Sequence, residues 1–328
     1  MTTLAQVLLA LSDGEYHSGE ALGQALGVSR TAVWKHLQNV VELGITLDKK
    51  KGLGYRIPGG IELFDRRRIL ACMPAQPREQ LRQLEILHSV DSTNAEARRH
   101  IERGGGGGWA CVAECQSAGR GRLGRPWVSP FAKNLYLSTV WEFDGGAAAI
   151  EGLSLAVGVA VHRAITSVGV LDIGLKWPND ILRDGRKLGG ILLEMTGDPV
   201  GQCQVIVGIG INVGMPADAA QAIDQAWADL AEVPDVTRNG LAAAVLSELL
   251  PVLTNYQRHT FAAYRDEWQR YDAYRGATVQ IMTPGKMLEG IASGVANNGA
   301  ICIDINGDVR QFSGGEISVR RLGASLTE

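Results

Sequence analysis

The sequence predicts an α+β chain of three units: a winged helix-turn-helix over 1–62, a central domain of strands and helices over 63–275, and an SH3-like β barrel over 276–328. Three observations predict it. Two short capped helices meet at Gly27 and Val28, the middle of the chain mixes apolar strand-like runs with helical ones, and from Ala277 the apolar period becomes two. The 328 residues suffice for several cores, and 45% hydrophobic with 20% charged residues is a globular composition. A net charge of −3 gives no overall basic field, so any nucleic-acid contact must come from a local patch. There is no basic leader with an apolar core and no run approaching the ~20 residues of a membrane span, so a cytoplasmic protein without membrane contact is expected. Five scattered cysteines fit a reducing compartment, with Cys111 and Cys115 read as buried small hydrophobes on one strand face. Six histidines without H-x-x-x-H spacing argue against a zinc site or a histidine triad, and no metal site is expected.

At the N-terminus, residues 4–11 form a short apolar helix. Ser18 is placed to cap a second helix running to Leu26, and Ser29 a third whose buried stripe is Val33, Leu37 and Val40. The third helix turns Arg30, Thr31, Lys35, Gln38 and Asn39 outward, residue types that hold phosphates and read base edges. Strands at 45–47 and 55–57 then flank Lys49, Lys50 and Lys51, a wing with a basic tip from which Lys50 reaches DNA. Six Lys or Arg against two acids between Arg30 and Arg56 make this stretch basic in an acidic chain. The coincidence of turn, caps, polar face and wing favours DNA binding over a merely solvated basic face. Trp34 is not assigned to either side.

Pro58, Gly59 and Gly60 mark a boundary, and 65–83 reads as a connecting helix and linker. A strand at 84–88 leads into Asp91, Ser92, Thr93 and Asn94, with Ser92 or Thr93 as N-cap of the next helix. An ordinary cap and a ligand pocket both fit that convergence of amides and hydroxyls. The five glycines at 104–108 read as a mobile hairpin or loop, after which strand 109–115 delivers Gln116 to GRGRLGRPW at 119–127. Gly119, Gly121 and Gly124 satisfy G-x-G-x-x-G, but Pro126 and Pro130 follow and no helix opens, so the dinucleotide context is missing. Arg120, Arg122 and Arg125 on so flexible a backbone suit a loop closing over an anion, although a solvated basic turn or a nucleic-acid contact would look alike.

Beyond a strand at 134–141 and a long helix at 150–168 come Lys176, Trp177, Pro178, Asn179 and Asp180. Here a turn sets a carboxylate and an amide at a strand end, which turn chemistry alone also explains. Lys187 precedes the apolar run LGGILLEM, where Gly189 and Gly190 leave room for a ligand; a strand-end lysine in solvent is the plain alternative. In CQVIVGIGIN, Gly208 and Gly210 thin the strand before Asn212, for a purine ring or for close packing. Residues 216–230 are a loop and short helix containing Trp227. Residues 240–274 are helical with Pro251 as interruption or new start. Strands at 278–282, 287–296, 300–304, 309–312 and 317–320, with turns at 283–285, 297–299 and 306–308, make the barrel.

In order, DSTN, Gln116, GRGRLGRPW, KWPND, RKLGGILLE and GIGIN, behind a winged helix-turn-helix and before a small β barrel, resemble the family of bifunctional biotin protein ligases and biotin operon repressors over nearly the whole chain. The resemblance implies a central mixed-sheet α/β catalytic domain related to lipoate ligases. It implies formation of biotinyl adenylate from biotin and ATP with Mg²⁺, then transfer of biotin to a lysine of a biotin carboxyl carrier protein. It also implies repression at operator DNA by an adenylate-bound homodimer, or, as the alternative, a ligase whose N-terminal domain does not regulate. Carried over, Ser92, Thr93, Asn94 and Gln116 line the biotin head-group pocket, and Arg120, Gly121 and Arg122 belong to the biotin and adenylate loop. Lys187 holds the carboxylate and acyl phosphate beside Gly190, while Asn212 and Trp227 bind the nucleotide end. Asp180 orients the incoming lysine or assists Mg²⁺, and Arg320 of GGEISVR brings the barrel to the nucleotide. The glycine run at 104–108 and Leu53 at the wing depart from the family pattern. Physically, a carboxylate meeting a triphosphate needs cations to offset the gathered negative charge, and positioning with electrostatics can suffice for that reaction.

Overall fold

The computed structural model describes residues 3–283, 286–314 and 317–322. Pro284 and Gly285 of the expected 283–285 turn, Gly315 and Glu316 of GGEISVR, and residues 323–328 lie outside the described residues.

The first unit is α1 (Thr3–Ala10), α2 (Gly19–Leu26), α3 (Arg30–Glu42) and a hairpin of β1 (Asp48–Lys50) and β2 (Gly54–Arg56). Ser18 and Ser29 cap α2 and α3 as expected, their hydroxyls accepting from the amides of Ala21 and Ala32. Gly27 ends α2 in the left-handed region, so α3 can turn back and bury Val33, Leu37 and Val40 against Val7, Leu8 and Leu22. The wing's first strand starts at Asp48 and not at 45–47: Ile45 is drawn into the core beneath the helices, which leaves its backbone out of the ladder.

The linker carries α4 (Arg66–Cys72) and α5 (Ala75–Gln80). The central domain follows as β3 (Gln83–Leu87), α6 (Thr93–Glu102), β4 (Trp109–Ala113), β5 (Leu135–Phe143), α7 (Gly146–Ala149), α8 (Leu153–Ser167), β6 (Ile173–Lys176), β7 (Asp180–Arg183), β8 (Arg186–Gly197), β9 (Cys203–Ile211), α9 (Ala217–Ala220), α10 (Arg238–His259) and α11 (Arg265–Arg270). Its sheet is mixed. The strand order is β3-β4-β5-β9-β8-β7-β6, with β3 and β4 parallel and all other neighbours antiparallel.

The period of two decides what each face carries. Val205, Val207, Ile209 and Ile211 of β9 join Leu135 and Leu137 of β5 in the core beneath α8 and α10, whereas Ile206 and Val140 turn to the other face with Ala97 of α6. That second face holds the site described below.

Five expectations need correction here. The helix expected at 150–168 starts only at Leu153: Gly152, at φ +74°, breaks it from the short α7, and a side chain there would run into Phe261. Gly146–Ser167, 22 residues with mean hydropathy 1.4, is long and apolar enough for a span, contrary to expectation, but it includes that break and α8 is buried against the sheet. Pro251 does not interrupt α10, because buried Leu249, Leu250, Val252 and Leu253 hold the helix through it. The glycine run joins a helix to a strand and is therefore no hairpin; Gln204 donates to the Gly105 carbonyl and tethers it. Cys115 lies past the end of β4, away from buried Cys111.

The last unit is β10 (Thr278–Thr283), β11 (Lys286–Val295), β12 (Ile301–Ile305), β13 (Asp308–Phe312) and β14 (Ser318–Arg321), ordered β13-β12-β11-β10-β14 and antiparallel throughout. The first strand lies between the second and the fifth, the SH3-like order. Trp177 donates to the Gly299 carbonyl at 3.0 Å and so joins KWPND to this unit.

The first two units meet in a buried polar knot. Glu62 accepts from the amides of Arg238 and Asn239 at the start of α10, while Arg238 pairs with Glu114 at 2.8 Å. Phe131 and Ala132 close the N-terminal core from the central domain.

Candidate functional site

The floor of the site is the α6 face of β5, β9 and β8. On β9 that face falls to Gly208 and Gly210, and a Cβ at either would press into Asn94 or Trp127. The GIGI alternation is therefore an apolar core face and a face bare of side chains in one strand. On β8 the same face carries Gly190 and Glu194, while Ile191 enters the core.

Lys187 reaches this face through an irregularity. The β7–β8 register slips between Ile181 and Leu182, so Leu188 takes the core position and Lys187 turns to Gly190's side. Its Nζ lies 2.8 Å from Asp180 Oδ1 and 5.6 Å from the centre of the Trp127 ring. Lys176 sits on the other oxygen of Asp180 at 3.3 Å. Arg122 donates to Asn179 Oδ1 at 3.4 Å, and the Asn179 amide is itself held by the Ile191 carbonyl. Burial pushes the Arg122 guanidinium below its usual range, with Arg125 adding to that and Asp180 opposing it. It stays charged. The structure thus gathers Lys187, Asp180, Arg122 and Gly190 in one place.

GRGRLGRPW is a small hairpin with a single 3-10 turn, Arg122–Gly124, and no α-helix. Gly121 N donates to the Arg125 carbonyl and Trp127 N to that of Gly119, with an exposed Leu123 at its tip. It is fastened at both ends. Arg120 reaches Glu194 at 3.1 Å, and at the other end Gln116 donates to Ser129, whose hydroxyl in turn donates to the Trp127 carbonyl.

The DSTN turn pairs with the residues leading into that hairpin. Asp91 accepts from Ser92 N and from both terminal nitrogens of Arg99, and that guanidinium pulls its carboxyl down to about 2. Ser92 occupies the cap position of α6, but its hydroxyl makes no capping hydrogen bond; the first helical amide, Thr93 N, donates to Gln116 Oε1 at 2.8 Å. Ser92, Thr93 and Asn94 are buried together.

Asn212 is buried, and its amide donates to the Ala228 carbonyl at 3.0 Å. Together with the bridge between Lys187 and Trp227 it lays the Trp227 segment along β8. Arg320 stands exposed on β14 opposite Gln280, outside the hydrogen-bonded cluster.

The candidate DNA face is separate. Arg30, Thr31, Lys35 and Gln38 are exposed along α3, Asn39 is half-buried, and Lys50 is exposed on the wing. Trp34 projects from the same side of α3, 56% exposed. Arg56 is occupied by Asp48 and the Tyr16 ring.

Sequence reasoning assigned no role to Trp127, Asn179, Ser129, Ser138 or Glu194. The signals were present: Ser138 begins the polar interruption of LYLSTVW, and Glu194 is the one charge in LGGILLEM.

The pattern of the Biotin/lipoate A/B protein ligase family matches residues 87–212, that of an HTH domain 3–56, and that of the Biotin protein ligase C terminal domain 276–320. The chain is 36% identical to the bifunctional ligase/repressor BirA of Escherichia coli (strain K12) over 97% of its own length and 98% of that protein. It is 32% identical to the biotin--[acetyl-CoA-carboxylase] ligase of Mycobacterium tuberculosis, over 72% of this chain and 88% of the other. Among solved structures, the biotin protein ligase of Aquifex aeolicus in complex with biotin and ATP superposes with a TM-score of 0.62 at 29% identity, covering 73% of this chain and 99% of that one.

Proposed function

The chain belongs to the family of BirA-type bifunctional biotin ligases and repressors, and from that premise we infer that it adenylates biotin and hands it to a carrier. Biotin's carboxylate attacks the α-phosphorus of ATP, pyrophosphate leaves, and biotinyl-5′-adenylate results. The amine of one lysine on a biotin carboxyl carrier domain then takes the acyl group, and AMP leaves with its electron pair. The adenylate-bound form represses biotin biosynthesis genes at operator DNA.

The observation that carries the enzymatic half is the setting of Lys187: turned by the register slip onto a floor bare of side chains, beside Trp127, with Arg122 and Asp180 around it. Two anions must meet there. Lys187 and Arg122 are fixed cations that offset their repulsion without reorganising during reaction. Asp180 holds Lys187 in place before substrate arrives and afterwards orients the incoming amine. The head group lies in the pocket of Ser92, Thr93, Asn94 and Gln116, under Arg120 and Gly121. Trp227 covers the adenine, and Asn212 acts through that segment. Arg320 approaches the nucleotide from the barrel.

Mg²⁺ arrives as the counterion of ATP. Such a cation keeps waters and phosphate oxygens as its ligands. Asp180 is the carboxylate at hand to share it.

On DNA, Arg30, Thr31, Lys35, Gln38 and Asn39 enter the major groove and Lys50 follows the backbone, with two copies pairing on two half-sites. The protein works in the cytoplasm. Biotin-dependent exchange of pyrophosphate into ATP tests the enzyme, and adenylate-enhanced binding to a two-fold operator tests the repressor. Exchange supported by lipoate and not biotin would overturn the first; ligation without enhanced operator binding would overturn the second.

A further inference from the structure

We propose that Glu194 and Ser138, without touching the ligand, fix the direction of a buried hydrogen-bond chain and so make Thr93 and Gln116 a paired acceptor for one ligand N–H. The proposal rests on the biotin reading above and names the feature of the head group being selected, a ring N–H of a cyclic urea.

The chain begins at Glu194. Its carboxylate accepts from Asn94 Nδ2 at 2.7 Å, from Arg98 at 3.2 Å and from Arg120 at 3.1 Å. A carboxylate only accepts, so Asn94 must present its NH₂ to Glu194 and its oxygen to the other side. On that side stands Ser138, whose Oγ is 2.6 Å from Asn94 Oδ1 and 2.8 Å from Thr93 Oγ1. Ser138 has one proton to give. Were it given to Thr93, two acceptor oxygens would face each other at 2.6 Å, so it goes to Asn94. The contact between the two hydroxyls is then closed by the proton of Thr93.

That leaves the pocket end. Gln116 Oε1 lies 2.8 Å from Thr93 N and 3.1 Å from Thr93 Oγ1. The Gln116 NH₂ is committed to Ser129 at 3.0 Å, which fixes the amide the right way round. The one Thr93 proton could go to Gln116 Oε1 at 3.1 Å or to Ser138 Oγ at 2.8 Å; the shorter contact, whose other proton is spent on Asn94, claims it, and the two oxygens 3.1 Å apart then have no proton between them. Such a pair attracts a donor and repels a lone pair. Thr93, Asn94 and Ser138 are all buried, so bulk water does not repair a mismatch, and an unpaired buried acceptor is costly. A urea N–H satisfies both oxygens, whereas a ring oxygen in its place would face two lone pairs.

The test uses the full-length protein, biotin, and the two cyclic carbamate analogues in which oxygen replaces either ring N–H. Binding is measured by calorimetry and turnover by pyrophosphate exchange. The native protein is expected to prefer biotin over one carbamate isomer by roughly 10²-fold or more, as sites built to bond a donor do. In Ser138→Ala and Glu194→Gln that ratio falls at least ten-fold by the same reasoning, since Thr93 regains a free proton, and Ser138→Thr, which keeps the hydroxyl, restores it. A merely structural role would weaken urea and carbamate alike and leave the ratio unmoved. An unmoved ratio in Ser138→Ala, or native protein that takes both carbamates as well as biotin, overturns the proposal. Native protein that binds no biotin overturns the underlying reading as well, and so the two failures are told apart.

Discussion

The ligase floor and the DNA face place cations in opposite ways. On the floor, Lys187, Arg122 and Arg120 each have a partner within 3.5 Å: Asp180 on the adjoining strand for Lys187, and the sequence-distant Asn179 and Glu194 for the two arginines. On α3 and the wing, Arg30, Lys35 and Lys50 stand in solvent on one local stretch of chain. The difference follows from their tasks. Fixed charges of low mobility favour a particular arrangement of charge in a reaction, whereas solvated charges act over a Debye length, bind by releasing counterions, and weaken with salt.

The largest effect is expected where the two regions join. Glu114→Ala leaves Arg238 charged and buried and should cost about 3–5 kcal/mol of stability, read as the loss of denaturant midpoint, with both activities failing together. Independent survival of either activity would show that the knot does not link them. Next comes Lys187→Ala, which should lower biotin-dependent exchange by about 10²–10³-fold, the cost of one preorganised charge donor, and leave DNA affinity for preformed adenylate complex nearly intact.

A half-buried carboxyl belonging to neither region calibrates these. Burial lifts the Asp272 carboxyl from 3.8 to about 6, against backbone hydrogen bonds and Arg275, which lower it. Because the folded value is raised, its proton favours the folded state below the unfolded value, and that contribution is lost as pH rises through about 6. Asp272→Asn should therefore flatten the fall in melting temperature between pH 4 and 7, by no more than ~3 kcal/mol at ~1.4 kcal/mol per unit. Arg122→Gly should let biotinyl adenylate escape roughly ten-fold faster, near the low end of the ~1.5–3 kcal/mol that a charged hydrogen bond contributes. Smallest of all, Lys35→Ala should reduce the salt slope of operator binding by about one and leave exchange untouched.

What the sequence disclosed divides along the same line. Caps, turn and wing were legible because each is set by neighbours within a few residues, as Ser18 and Ser29 are. The glycines of GIGIN were legible as a thinned strand, but their ligand face emerges only once Ile209 and Ile211 are seen in the core. Illegible were partners joined across the fold: Glu194 with Arg120, Arg238 with Glu114, and the register slip that turns Lys187. No local pattern announces them, because tertiary packing creates them. The missing Ser92 cap belongs here too: its hydroxyl makes no capping hydrogen bond, and the first-turn amide of Thr93 is held across the fold by Gln116.

Mass spectrometry of the purified full-length protein after incubation with biotin and MgATP tests the central claim most directly. Retained biotinyl adenylate, discharged when a biotin carboxyl carrier domain is added and leaving that domain biotinylated on one lysine, is the predicted result. Protein that binds biotin yet yields neither adenylate nor biotinylated carrier would contradict it.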